Sequence, residues 1–188
     1  DELIVNLGCS VPTGKINGRT AAPSNGMMPP GLFPYPMRLG SGTFNARPGV
    51  TYRQYWETRS FGAQYQADLP IGRNYRNYSV GDTHRLNFWL SQRIGPEGNL
   101  AFTFRVENLW RSNFGGFDPA FGPNNTVIST ARTDMRGGYW LDLGYGAIWL
   151  LPKGGRLSFE IVQPIFQDLD GVQVETDMAV FASYSKAF

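Results

Sequence analysis

The chain has 188 residues, of which 41% are hydrophobic, with a mean hydropathy of −0.29 and a formal net charge of +2. No apolar run approaches the ~18 residues that a membrane helix needs, so helical spans are excluded. So small a net charge gives no warrant for a nucleic-acid partner.

What the sequence does carry is period-2 alternation. Successive side chains on a strand point to opposite faces, so alternating apolar and polar residues predict strands with one greasy and one polar side. The first such segment, Leu3 to Val11, sets Leu3, Val5, Leu7, Cys9 and Val11 against Asn6, Gly8 and Ser10. The second, Phe44 to Trp56, sets Phe44, Ala46, Val50, Tyr52 and Trp56 against Asn45, Arg47, Thr51, Arg53 and Glu57. A third puts Phe61, Ala63, Tyr65, Ala67, Leu69 and Ile71 opposite Gly62, Gln64, Gln66 and Asp68. In the fourth, Leu86, Phe88, Leu90 and Ile94 oppose Arg85, Asn87, Ser91 and Arg93. The fifth is the clearest: Leu100, Phe102, Phe104, Val106 and Trp110 against Thr103, Arg105 and Glu107. Tyr139, Leu141, Leu143, Tyr145, Ala147 and Trp149 then oppose Asp142, Gly144 and Gly146. The seventh segment sets Leu157, Phe159, Ile161 and Ile165 against Arg156, Ser158 and Glu160. The last, Val174 to Phe188, sets Met178, Val180, Ala182, Tyr184 and Phe188 against Asp177, Ser183 and Ser185.

Each segment is about 9–13 residues, the length of a tilted strand crossing a bilayer, whereas sandwich strands usually run to about five or six. The connections also alternate in length. Long polar or Gly/Pro-rich stretches, Gly14 to Gly42, Gly72 to His84 and Arg111 to Gly138, alternate with tight turns at Thr58–Ser60, Gly95–Gly98 and Pro152–Gly155. Long connections on one side and short ones on the other predict an all-β, antiparallel transmembrane β-barrel rather than a β-sandwich. The prediction is a single domain over residues 1–188, with eight strands in this chain and external loops at about 14–42, 72–84 and 111–138. Tyr52, Trp56, Trp110, Tyr139, Trp149 and Tyr184 fall near predicted strand ends, where amphipathic rings favour the headgroup level.

The polar sides supply the predicted lumen lining: Arg47, Arg53, Glu57, Asp68, Arg85, Arg93, Arg105, Glu107, Asp142, Arg156, Glu160 and Asp177. Eight strands alone leave an interior that side chains fill, and these charges would then have to pair. In a wider barrel water would solvate them, and the abrupt first strand at Asp1 favours the C-terminal part of a larger barrel. Asp1 and Glu2 open the chain without a basic or apolar leader, so a secretion signal is expected to have been removed. Cys9 is the one cysteine and reads as a small lipid-facing hydrophobe; Asn6 before Leu7-Gly8-Cys9 argues against a lipoprotein cleavage site.

Catalysis, which in a small outer-membrane barrel would be lipid modification, is the less favoured alternative and is not expected. The one histidine, His84, has Asp82 and Ser79 near it in sequence, but polar crowding in a loop is the plainer reading. Met27, Met28 and Met37 could offer thioethers to a soft ion, yet no cysteine or histidine lies near them in sequence, and loop packing accounts for them. No cofactor or metal is therefore predicted.

Pro34-Tyr35-Pro36-Met37-Arg38-Leu39-Gly40-Ser41-Gly42-Thr43-Phe44, Pro48-Gly49-Val50-Thr51-Tyr52 and Asn6-Leu7-Gly8-Cys9-Ser10-Val11-Pro12-Thr13-Gly14 carry a resemblance. Leu169-Asp170-Gly171 and Glu175-Thr176-Asp177 continue it. With these motifs the chain resembles a bacterial outer-membrane transporter family similar to the meta-pathway phenol-degradation outer-membrane proteins. The resemblance implies a bacterial outer-membrane location, lipid as a partner, and passive transport or binding of a small solute, hydrophobic or polar. The competing expectation is a structural barrel that anchors an envelope protein through its long loops. Phe33, Tyr35, Phe114, Phe117 and Phe121 in those loops would suit either capture of an apolar solute or docking.

Overall fold

Alternation produces a strand at every one of the eight predicted segments. The computed structural model describes residues 1–19, 31–95, 98–122 and 128–186. Its strands are β1 (Glu2–Ser10), β2 (Phe44–Tyr55), β3 (Arg59–Ile71), β4 (Tyr78–Ser79), β5 (Thr83–Ile94), β6 (Leu100–Arg111), β7 (Gly115–Gly116), β8 (Gly138–Leu151), β9 (Gly155–Leu169) and β10 (Ala179–Lys186). Eight of them form one antiparallel sheet in the order β1-β2-β3-β5-β6-β8-β9-β10, and β4 pairs with β7 in a separate ribbon. Each long strand therefore pairs with its sequence neighbours, as in an up-and-down meander. β1 and β10 are the edges and are not hydrogen-bonded to each other, so these eight strands do not close into a barrel.

Antiparallel order sends the connections alternately to two ends. The chain leaves the sheet at one end after β1, β3, β6 and β9, and at the other end after β2, β5 and β8. The turns are closed by backbone bonds such as Trp56 N–H to Arg59 O at 2.8 Å and Gly98 N–H to Gly95 O at 3.1 Å.

Several sequence expectations are corrected at the strand ends. Trp56 and Glu57 fall in the β2–β3 turn, and Val11 follows β1. The last strand begins at Ala179 instead of Val174, leaving Val174, Asp177 and Met178 in the connection, and Val174 is 94% exposed. The β9 chain explains this. Its pairing with β10 reaches only Val162, and just beyond it Pro164 has no N–H to donate, while the register against β8 shifts by one residue at Leu141/Asp142. That bulge leaves Ile165 without an opposite number and ends the strict alternation there. Phe188, Met27 and Met28 lie outside the described residues.

The two sheet faces differ as the alternation requires, but burial is inverted relative to a water-soluble sheet. Leu3, Val5, Leu7, Val50, Phe88, Leu90, Phe102, Phe104, Tyr145, Phe159 and Val180 all share one face, and all are exposed, Leu7 to 85%. The main apolar core sits elsewhere, in the long connections. Ile16, Leu32, Tyr35, Tyr78, Phe121 and Ala131 are buried together, with Phe114 and Ile128 packed against them. The 3-10 turn Tyr35–Met37, started by Pro34 and Pro36, places Tyr35 at the centre. Its ring meets Tyr78 at 4.8 Å, Phe114 at 5.4 Å and Phe121 at 5.6 Å, all edge-on, the geometry that aromatic quadrupoles prefer. Three connections thus fold into a cap at one end of the sheet.

Candidate functional site

The polar face is built from the residues that alternate with the apolar ones, and register fixes which of them meet. Arg105 on β6 stands beside Gly144 on β8, which stands beside Val162 on β9. Because Gly144 carries no side chain, Arg105 crosses it and its Nε donates to Glu160 Oε1 at 2.9 Å. A Cβ on Gly144 would lie 2.7 Å from that Glu160 oxygen, so a larger residue there would push the Arg105–Glu160 contact aside. Arg105 Nη1 also donates to Glu107 at 2.8 Å, and Glu107 takes a second contact from Arg85 at 3.1 Å. Asp142 stands directly opposite Glu107, and its Oδ1 is buried without a hydrogen bond. The middle of the face is therefore a charged belt of Arg85, Arg105, Glu107, Asp142 and Glu160, and a cavity of about 280 Å³ touches four of these five and Trp140.

Nearer the cap, Arg47, Gln66, Asp68, Thr83, Arg85 and Arg111 line a cavity of about 340 Å³. Arg47 grips Asp68 in an ion pair, Nη2 at 2.7 Å and Nε at 2.8 Å, and Asn45 donates to the other carboxylate oxygen at 2.5 Å. At the short-turn end a third cavity, about 250 Å³, is lined by Arg59, Arg93 and Arg156 together with Trp56, Ser60 and Ser91. From cap to turns the face thus runs basic, mixed with carboxylates, then basic again.

Most of the predicted lining is gathered here. Arg47, Arg53, Asp68, Arg85, Arg93, Arg105, Glu107, Asp142, Arg156 and Glu160 all sit at polar-face positions of the strands. Arg53 makes only a distant contact, 3.9 Å, with Glu2 on the edge strand. Glu57 and Asp177 are corrected: both lie in connections, where strand alternation no longer sets their direction. Arg111, which composition places at the start of a loop, ends β6 on the polar face opposite Thr83. Sequence alone does not single out Trp89, whose ring lies over Gly62 of β3; a Cβ there would fall 2.0 Å from the indole. The signal was present as a glycine facing a tryptophan, but only the register brings them together.

His84 takes no part in a Ser79/Asp82 arrangement. It faces the apolar side, its Nδ1 2.7 Å from Tyr65 Oη and its ring stacked on Trp110 at 4.6 Å. Among the described residues no group of histidine, cysteine, aspartate and glutamate side chains is placed to hold a metal, and Met37 is exposed.

The cap encloses a charge cluster that sequence reading missed. Asp118 is fully buried and Arg38 nearly so, with 2.8 Å between Arg38 Nη2 and Asp118 Oδ2. Arg76 Nη2 donates to Asp118 Oδ1 at 2.8 Å, Arg76 Nε to Oδ2, and the Ala120 N–H to Oδ1 at 3.0 Å. The Arg38 guanidinium carbon lies 4.9 Å from the Tyr35 ring centre, 5.0 Å from Tyr78 and 5.2 Å from Phe121, a cation held among π faces. Burial pushes the Asp118 carboxyl up, but the hydrogen bonds from Arg76, Ala120 and Arg38 outweigh it and leave it below the ordinary carboxylate range. Burial also raises the Tyr35 phenol, which stays protonated and accepts the Asp118 N–H at 2.8 Å. The loop aromatics Tyr35 and Phe121 are consequently spent on the cap's own core rather than displayed for capture or docking.

No protein-family profile matches the sequence, and no curated protein matches it.

Proposed function

We propose that this chain forms part of the wall of a bacterial outer-membrane β-barrel, with the cap outside, the short turns in the periplasm, and the polar face lining a path for a small solute. The observation that carries this reading is the exposed apolar face set against a charged, internally paired one. A water-soluble sheet buries its greasy side, and a contiguous exposed surface of this kind calls for lipid or protein cover. Aromatic spacing supports lipid. Along β8, Tyr139 and Trp149 stand on the apolar side near the strand's two ends. Ten residues at ~3.3 Å each span about 33 Å of strand, or about 25 Å of membrane at a tilt near 40°. That matches the height of an outer-membrane hydrocarbon band.

Closure requires either that β1 and β10 meet or that further strands lie between them. An eight-stranded barrel leaves an interior that side chains just fill. Trp89, Trp140, Arg85, Arg105 and Arg111 on one face favour the wider barrel, with water around the charges. The resemblance to outer-membrane transporters similar to the meta-pathway phenol-degradation proteins agrees with passage of a small solute and calls for no catalysis. The second reading, a structural barrel that anchors an envelope partner, draws on the paired chain Arg85–Glu107–Arg105–Glu160, which would suit a closed plug. Swelling of liposomes containing the refolded protein separates the two. Transport predicts permeation of small sugars and amino acids above protein-free vesicles; insertion without permeation selects the anchor.

A further inference from the structure

The geometry points to the cavity of Arg47, Arg85 and Arg111 as a recognition site for a small oxyanion, a carboxylate or phosphate, at the cap end of the polar face. This rests on the reading of that face as the inside of a barrel. The three arginines share the cavity with a single carboxylate, Asp68. Both oxygens of that carboxylate are already engaged, one by Arg47 and the other by Asn45. Arg85 reaches away from the cap to Glu107, which Arg105 also holds. Arg111 is different. Its Nε donates to the neutral Thr83 hydroxyl at 3.2 Å, its guanidinium carbon lies 5.9 Å from the Trp140 ring, and among the described residues no carboxylate comes within ion-pair distance. A half-buried guanidinium with one neutral acceptor keeps donors for a charged ligand, because its planar fork matches two oxygens side by side.

Location strengthens the assignment. Arg47, Asp68, Thr83 and Arg111 fall in one cross-strand row on β2, β3, β5 and β6, the row nearest the cap that all four strands share. A solute arriving through the cap would meet this row first. Rigid strands hold the donors, and a cavity of about 340 Å³ lies at the small end of the range of ligand pockets. Asp68 sets the strength of the site, since it neutralises Arg47 and leaves a modest positive surplus.

The test is isothermal titration of the refolded full chain in detergent micelles with benzoate and, separately, inorganic phosphate, alongside the liposome insertion assay. Saturable binding of either is expected, and which of the two binds names the oxyanion. Arg111→Gln should weaken it about tenfold, the worth of a charge-assisted hydrogen-bond pair. Asp68→Asn, which frees Arg47, should tighten it. These opposite signs are not what a purely structural role for the two residues would give. Absence of saturable binding, an unchanged affinity in Arg111→Gln, or weaker binding in Asp68→Asn overturns the assignment, and does so independently of insertion. Failure to insert would instead overturn the barrel reading beneath it.

Discussion

Replacing Asp118 by alanine is expected to open the cap while leaving the eight-stranded sheet in place. The carboxylate is the only acid within ion-pair reach of Arg38 and Arg76 among the described residues, and Arg38 is almost wholly buried. Without it a guanidinium stays inside an aromatic cage with its charge uncompensated, a loss of about 3–5 kcal/mol for a broken buried pair. The three donors now bonded to Asp118, two from Arg76 and the Ala120 N–H, would also lose their acceptor. Trypsin cleavage after Arg38 and Arg76 should speed up by about two to three orders of magnitude, since local opening governs access. The far-ultraviolet strand signal should hardly change. Removing Arg132, which pairs with Asp134 at the exposed surface, should have no measurable effect, because solvent screens such pairs. The pH dependence has a definite sign. A carboxyl held below its ordinary value stabilises the cap fully above about pH 4, where the unfolded group ionises, and loses that contribution as pH falls through the lower folded value. Amide hydrogen-exchange protection of the cap should therefore be flat from neutral pH down to mildly acidic conditions and collapse only in strong acid.

The second large effect is expected on the opposite surface. Phe104 lies midway along β6 on the apolar face, 40% exposed, its ring 5.6 Å from that of Tyr145. If this face meets lipid, Phe104→Arg places a guanidinium near the bilayer midplane at a cost of about 2–4 kcal/mol. Refolding into bilayers should fail or fall sharply, read as loss of the heat-modifiable folded band on gels. Ser91→Arg, on the polar face at the edge of the short-turn cavity, should refold normally. In water the two changes would rank the other way, since an exposed phenylalanine is replaced by arginine at little cost, whereas Ser91 has less room around it.

The sheet was legible in the sequence because one physical demand, a different environment on each face, writes itself into every second residue. That is why Leu100 to Trp110 could be read almost to the residue. The alternation fails wherever geometry departs from period 2. Pro164 and the bulge at Ile165 shift the register of β9 and, with it, the start of β10, and no local pattern announces such a shift. The polar face was legible as a list of residues but not as a circuit: Arg105 reaches Glu160 only because Gly144 intervenes. The cap was invisible for a different reason. Tyr35 and Asp118 are 83 residues apart, and Arg38, Arg76 and Asp118 sit in three separate connections whose polar composition reads as loop. The aromatic richness of those connections was the available signal, and it marks an internal core more than a display surface.

Everything in the functional reading turns on which medium touches the apolar face. Nitroxide labels placed one at a time from Phe102 to Val106, in a Cys9→Ser background that removes the exposed native thiol, report this directly in reconstituted vesicles. A two-residue alternation is expected: labels at 102, 104 and 106 relaxed by lipid-dissolved oxygen and shielded from a water-soluble nickel complex, labels at 103 and 105 showing the reverse. Uniform access of the nickel complex to both sets, or an inverted alternation, would contradict it.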